Sequence, residues 1–101
     1  MNISEQYRIA AKEHVELDAA ASLLEETKSA HLSQMMLACN ADSVSKAEML
    51  TKASPAWTQV VEEMVEARRK ANMKKVELEW IRMRFSEQQS AEANARAERR
   101  L

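Results

Sequence analysis

Glycine is missing altogether from these 101 residues, and proline occurs once, at Pro55. Tight hairpins, strand connections and phosphate-cradling loops depend on glycine wherever the backbone must adopt positive φ. Their absence argues against a sheet-rich fold and against a glycine-rich nucleotide loop. Aromatic residues are almost as scarce, limited to Tyr7, Trp57, Trp80 and Phe85. Cys39 is the only cysteine, which rules out an intramolecular disulfide and fits a reducing compartment. No run approaches the roughly 18 apolar residues a membrane span needs. The opening MNISEQYRIA lacks the basic-then-apolar pattern of a signal peptide, so a cytoplasmic location is expected.

What remains is rich in Ala, Glu, Met, Lys, Arg and Gln, all strong helix formers. The length suits a single domain, since independent cores usually need about 100 to 150 residues. Charge is nearly balanced overall but not along the chain. Residues 1–50 carry four basic and eight acidic groups, a net of −4, and residues 51–101 carry eleven and eight, a net of +3. Such asymmetry suits two helices pairing side by side, and it also permits a basic binding surface in the second half.

The first helix is expected over residues 3–39. Asn2 and Ser4 are both good caps, and Glu5 stands where it can complete a capping box from Asn2. Ile3, Tyr7, Ala10, His14, Leu17, Ala21, Leu24, Leu32, Met35 and Cys39 recur on one broad stripe, interrupted by Lys28. The run Ala19-Ala20-Ala21 would let a neighbouring helix approach closely. Asn40 tolerates left-handed geometry and marks the helix end. Residues 40–54 read as a connection, in which Ser45-x-x-Glu48 predicts a short helix from Lys46 to Ala53. Ser54-Pro55 opens the last helix, expected over residues 55–98 with a polar C-terminal extension and a length of roughly 65 Å.

That last helix carries two apolar stripes. Trp57, Val60, Met64, Ala67, Ala71, Leu78, Ile81 and Phe85 form one; Val65, Met73, Val76, Trp80 and Met83 lie close to the opposite side. A helix with two apolar faces needs more than one neighbour. The expected fold is therefore all-α, a long antiparallel helical hairpin with a short connecting helix. Two copies would dimerise into a four-helix coiled-coil-like bundle that buries the second stripe. Trp80 with Arg84 one turn away is typical of an interaction hot spot. Val65, Met73, Val76, Trp80, Met83 and Arg84 are the expected protein interface.

Chemistry is harder to place. His14 and Asp18 are four apart on one face, the spacing of two metal ligands, but no second pair accompanies them and a local contact is favoured. Cys39 sits on the apolar stripe with no base or oxyanion donors implied nearby, so it reads as a small hydrophobe. Glu25-Glu26 and Glu62-Glu63 are consecutive helical residues and diverge by about 100°, so neither pair converges on one substrate atom. No catalytic residue, metal or cofactor is assigned, and a non-enzymatic role is expected. The strongest charge feature is Arg68, Arg69, Lys70, Lys74 and Lys75, five basic groups in eight residues. They can grip a phosphate backbone or an acidic partner. They also point around the helix, and Glu13, Glu16 and Glu25 of the first helix can neutralise them across the hairpin. Ion pairing is the favoured reading.

Ser45-Lys-Ala-Glu-Met-Leu-Thr-Lys-Ala-Ser-Pro-Ala-Trp57, Trp80-Ile-Arg-Met-Arg-Phe85 and Asn94-Ala-Arg-Ala-Glu-Arg-Arg-Leu101 together resemble a loose group of small helical phage and prophage proteins. Those proteins have an alanine-rich first helix, an A-S-P-aromatic helix start and a C-terminal R-A-E-x-R-L. Their usual aromatic-Arg-Ser segment stands here as Arg84-Phe85-Ser86. The resemblance implies a phage-infected bacterium, often with recombination genes nearby, and carries over no catalytic residues. In that setting, the two apolar stripes and the Trp80 face point to an accessory factor binding a phage recombination or replication protein. The alternatives are an inhibitor of a bacterial defence complex, such as a nuclease or CRISPR effector, and direct nucleic-acid binding through residues 68–75.

Overall fold

The computed structural model describes residues 1–100. It contains three helices: α1 (Ile3–Ala38), α2 (Val44–Lys52) and α3 (Pro55–Arg100). α1 and α3 pack along one another as an antiparallel hairpin. The molecule is a rod of 84 × 17 × 16 Å with a radius of gyration of 23.1 Å, against about 13 Å for a compact chain of this length.

Each helix begins on a residue suited to the task. Asn2 is extended, and its side-chain oxygen accepts from the Glu5 backbone N–H at 2.7 Å. Glu5 turns its carboxylate to Arg8 at 3.0 Å, so only half of the expected capping box is made. Ser54 accepts from the Trp57 N–H at 3.2 Å, while its hydroxyl donates to the Thr51 carbonyl at 2.6 Å. Pro55 follows in the first helical position, where no N–H is needed. α1 ends at Ala38 with Cys39 as its cap, and Asn40 takes φ 50°, the left-handed geometry that stops the helix.

α2 departs from the sequence expectation. Its cap is Ser43, which accepts from the Lys46 N–H at 3.2 Å, and not Ser45. Lys46 occupies the place where a capping box would have glutamate or glutamine, so the box pattern pointed two residues too late. Cys39 joins α1 to α2: its thiol lies 3.2 Å from the Met36 carbonyl and 3.8 Å from that of Ala47.

The seam between the helices is narrow. The buried apolar residues are Ala10, Ala21, Ala47, Trp57, Ala71 and Ile81, and four of these six are alanine. Ala21 and Ala71, each at 0 % exposure, bring the long helices close together. Ala19 and Ala20 are exposed, so one alanine of the run, not three, lies at the contact. Among the described residues no large side chain is fully buried. Beyond Phe85 the helix continues for about 22 Å as an overhang, exposed throughout except at Ala95, which is half-buried.

This geometry makes the seam sensitive to volume. Ala71→Leu is expected to cost about 1–3 kcal/mol by forcing α1 and α3 apart. Ala91→Leu, on the exposed overhang, should stay within about 0.5 kcal/mol of the parent. Urea unfolding followed by circular dichroism checks the pair; equal effects would show that Ala71 is not at a tight contact.

Candidate functional site

Two of the five basic residues, Arg68 and Lys74, are committed across the hairpin. Arg68 is only partly exposed and reaches across to α1, where it donates to Asp18 at 2.7 Å, to both Glu25 oxygens at 2.7 and 2.8 Å, and to the Ser22 hydroxyl at 3.3 Å. Lys74 pairs with Glu13 of α1 at 2.7 Å and with Glu77 of its own helix at 2.8 Å. Arg69 bonds Glu66 one turn back at 2.6 Å. Lys70 and Lys75 form no ion pair among the described residues. Three of the five basic residues therefore meet carboxylates, and two of those three tie α3 to α1.

The titration behaviour follows from these contacts. Hydrogen bonds from Arg68 hold the Asp18 and Glu25 carboxyls below their ordinary values, against the opposing pull of desolvation. Bonds to Glu13 and then Glu77 push the Lys74 ammonium upward. Near the open end of the hairpin, Arg82 donates to the Tyr7 hydroxyl at 3.2 Å, and this bond raises the Arg82 value.

Glu13 and Glu25 take the cross-hairpin roles read from the sequence, whereas Glu16 makes no ion pair among the described residues. Asp18 supplies the remaining acid. It faces Arg68 because it stands seven residues, about two turns, before Glu25 and so on the same edge of the seam, and helical spacing also sets it beside His14. Among the described residues no three His, Cys, Asp or Glu side chains gather as metal ligands do. No helix there is long and apolar enough to cross a membrane.

The surface without a neighbour lies on the other side of α3. Val65, Met73, Val76, Trp80 and Met83 are each more than half exposed, Trp80 at 55 %. Arg84 stacks its guanidinium 4.8 Å from the centre of the Trp80 ring, within cation–π range. Phe85 behaves differently from the rest of the first stripe. It is 41 % exposed and, with Ile3, Tyr7 and Ile81, lines an apolar notch of about 300 Å³ at the open end. Leu37, Val44, Met49 and Leu50 are also exposed around the turn end, and Leu37 and Val44 line one groove there. Sequence reasoning placed none of these four in an interface; Leu37 stands off the main stripe of α1, which was the available signal.

Arg68 gives a pH test. A carboxylate whose folded value is lowered contributes stability that is fully present above its unfolded value, 3.8 for Asp18 and 4.5 for Glu25, and is lost as pH falls through the lowered folded values. Arg68→Ala should therefore lower Tm at pH 7 more than Arg69→Ala does, and should flatten the acid limb below about pH 4.5. Thermal unfolding across pH 2–7 reads both. Identical acid limbs for the variant and the parent would remove this role. The chain matches no family model, no curated protein and no solved structure.

Proposed function

We propose that the chain is a non-enzymatic interaction protein whose working unit is a homodimer joined through the outer stripe of α3. One observation carries this reading. The same helix that contributes Trp57, Ala71 and Ile81 to the hairpin seam presents Met73, Val76, Trp80 and Met83 to solvent on another face. Isolated polar-faced helices do not spend such residues on water, and apolar patches of this kind mark contact sites. Val65 and these four residues together offer on the order of 500 Å² per copy, so a symmetric pair buries about 1,000 Å², the lower bound for a specific interface.

The seam inside one hairpin supports the same reading. With Trp57 and Ile81 as its only buried large side chains among the described residues, it supplies little of the apolar burial that holds a domain together. A second seam between copies adds what the first lacks. Once Trp80 is covered there, the exposed turn end and the overhang stay available to another protein. A phage recombination or replication protein, or a host defence complex, is the partner class that the sequence resemblance suggests. The basic segment favours neither, because Arg68 and Lys74 serve the hairpin itself.

Sedimentation equilibrium of the parent chain at 5–50 µM should report a dimer. Trp80→Ala should weaken it by at least about tenfold, as loss of a central aromatic anchor does, while leaving helicity unchanged. A parent chain that stays monomeric across this range would end the proposal.

A further inference from the structure

The charged residues beside the outer stripe carry a pattern of their own. Met73, Val76, Trp80 and Met83 are spaced three, four and three apart, the repeat of a helix-pairing seam. Along one flank of this seam, seven residues apart, stand Glu63, Lys70, Glu77 and Arg84. Their signs alternate: minus, plus, minus, plus. Lys70 and Arg84 form no ion pair among the described residues, and Glu63 is approached only by the Gln59 amide, at 3.0 Å. Glu77 has Lys74 beside it and leaves capacity for a second cation.

When two identical helices pair antiparallel, equivalent flanks face each other and their residues run in opposite order. With the two-fold axis midway between residues 74 and 75, Glu63 comes within two residues, about 3 Å along the helix, of the partner's Arg84, and Lys70 equally near the partner's Glu77, each pair occurring twice. Resting on the homodimer reading above, we propose that two copies pair antiparallel through the outer stripe of α3 in this one register. The seam layers then set Met73 against the partner's Val76 at the centre. Arg69 falls opposite the partner's Trp80, a cation beside an aromatic face. Glu62 falls opposite the partner's Glu87 at each end, a like-charge contact at which the seam stops. The α1 helices lie outermost, giving a layer of four helices.

Charge selects this register against its neighbours. Sliding one helix by a single heptad either way sets Lys70 against the partner's Arg84 and Glu77 against its own copy, or Lys70 against its own copy and Glu63 against the partner's Glu77. Both are like-charge contacts, which discriminate against wrong pairings. A parallel pair brings a different flank into play, in which the favourable match for Arg84 is the partner's Glu79 and Lys70 meets Val65.

Charge reversal tests the register by sedimentation equilibrium, with helicity checked by circular dichroism. The substitutions lie on exposed positions that form no hydrogen bond or ion pair with α1 among the described residues. Glu63→Arg alone and Arg84→Glu alone should each weaken the dimer at least about tenfold, because symmetry places every new like-charge contact twice. The double variant Glu63→Arg with Arg84→Glu should recover to within about threefold of the parent. Rescue of Arg84→Glu by Glu79→Arg instead would overturn the antiparallel register in favour of a parallel pair. A dimer indifferent to either single reversal would overturn it too, with the interface reading left standing. A monomeric parent would remove both.

Discussion

Two helices lying side by side share one seam, and the depth of that seam limits everything else in this molecule. Here alanine sets the depth. Ala10, Ala21 and Ala71 let α1 and α3 approach closely along their length, with Trp57 near one end and Ile81 near the other. Close approach gives good van der Waals contact over a long line, but small side chains remove little apolar surface from water. The hairpin therefore has a well-defined pairing and a modest driving force. Long apolar side chains that would deepen a core stand on the outer side of α3.

Electrostatics fix the register within the hairpin where apolar bulk does not. Arg68 grips Asp18 and Glu25 on one edge of the seam, and Lys74 grips Glu13 on the other. One edge is thus held by a planar guanidinium shared between two acids and the other by a compact ammonium. A slip of one turn would pull both cations from their partners. These pairs are solvent-accessible and contribute modest stability, yet they oppose misregistration on both edges at once. The charge difference between the two halves of the chain has this concrete expression.

Much of the architecture is legible in the residues themselves. Lack of glycine, with one proline behind a serine, leaves few places for the chain to turn, and Asn40 and Ser54-Pro55 mark the two that matter. The cap of α2 was not legible because Ser43 has lysine, not an acid, three residues on. The partner of Arg68 was legible only in kind. A helical wheel says that acids of α1 face bases of α3, but the choice of Asp18 over Glu16 depends on how the two helices are rotated about their shared seam. The groove that sets Leu37 beside Val44 was hidden for a related reason, since it forms only once α2 folds against the end of α1. The second stripe of α3 differs, because periodicity within one helix defines it without reference to any neighbour.

In the proposed homodimer, a narrow seam and an unpartnered stripe would have one joint thermodynamic consequence: folding and association would be linked. If the outer stripe completes the core, unfolding releases two chains, and Tm must rise with protein concentration. Thermal unfolding by circular dichroism from 1 to 100 µM is the direct measurement. The account predicts a Tm that climbs steadily by several degrees over that range, with the transition remaining a single step. A Tm that holds constant would contradict it, since a single hairpin would then be stable on its alanine seam alone.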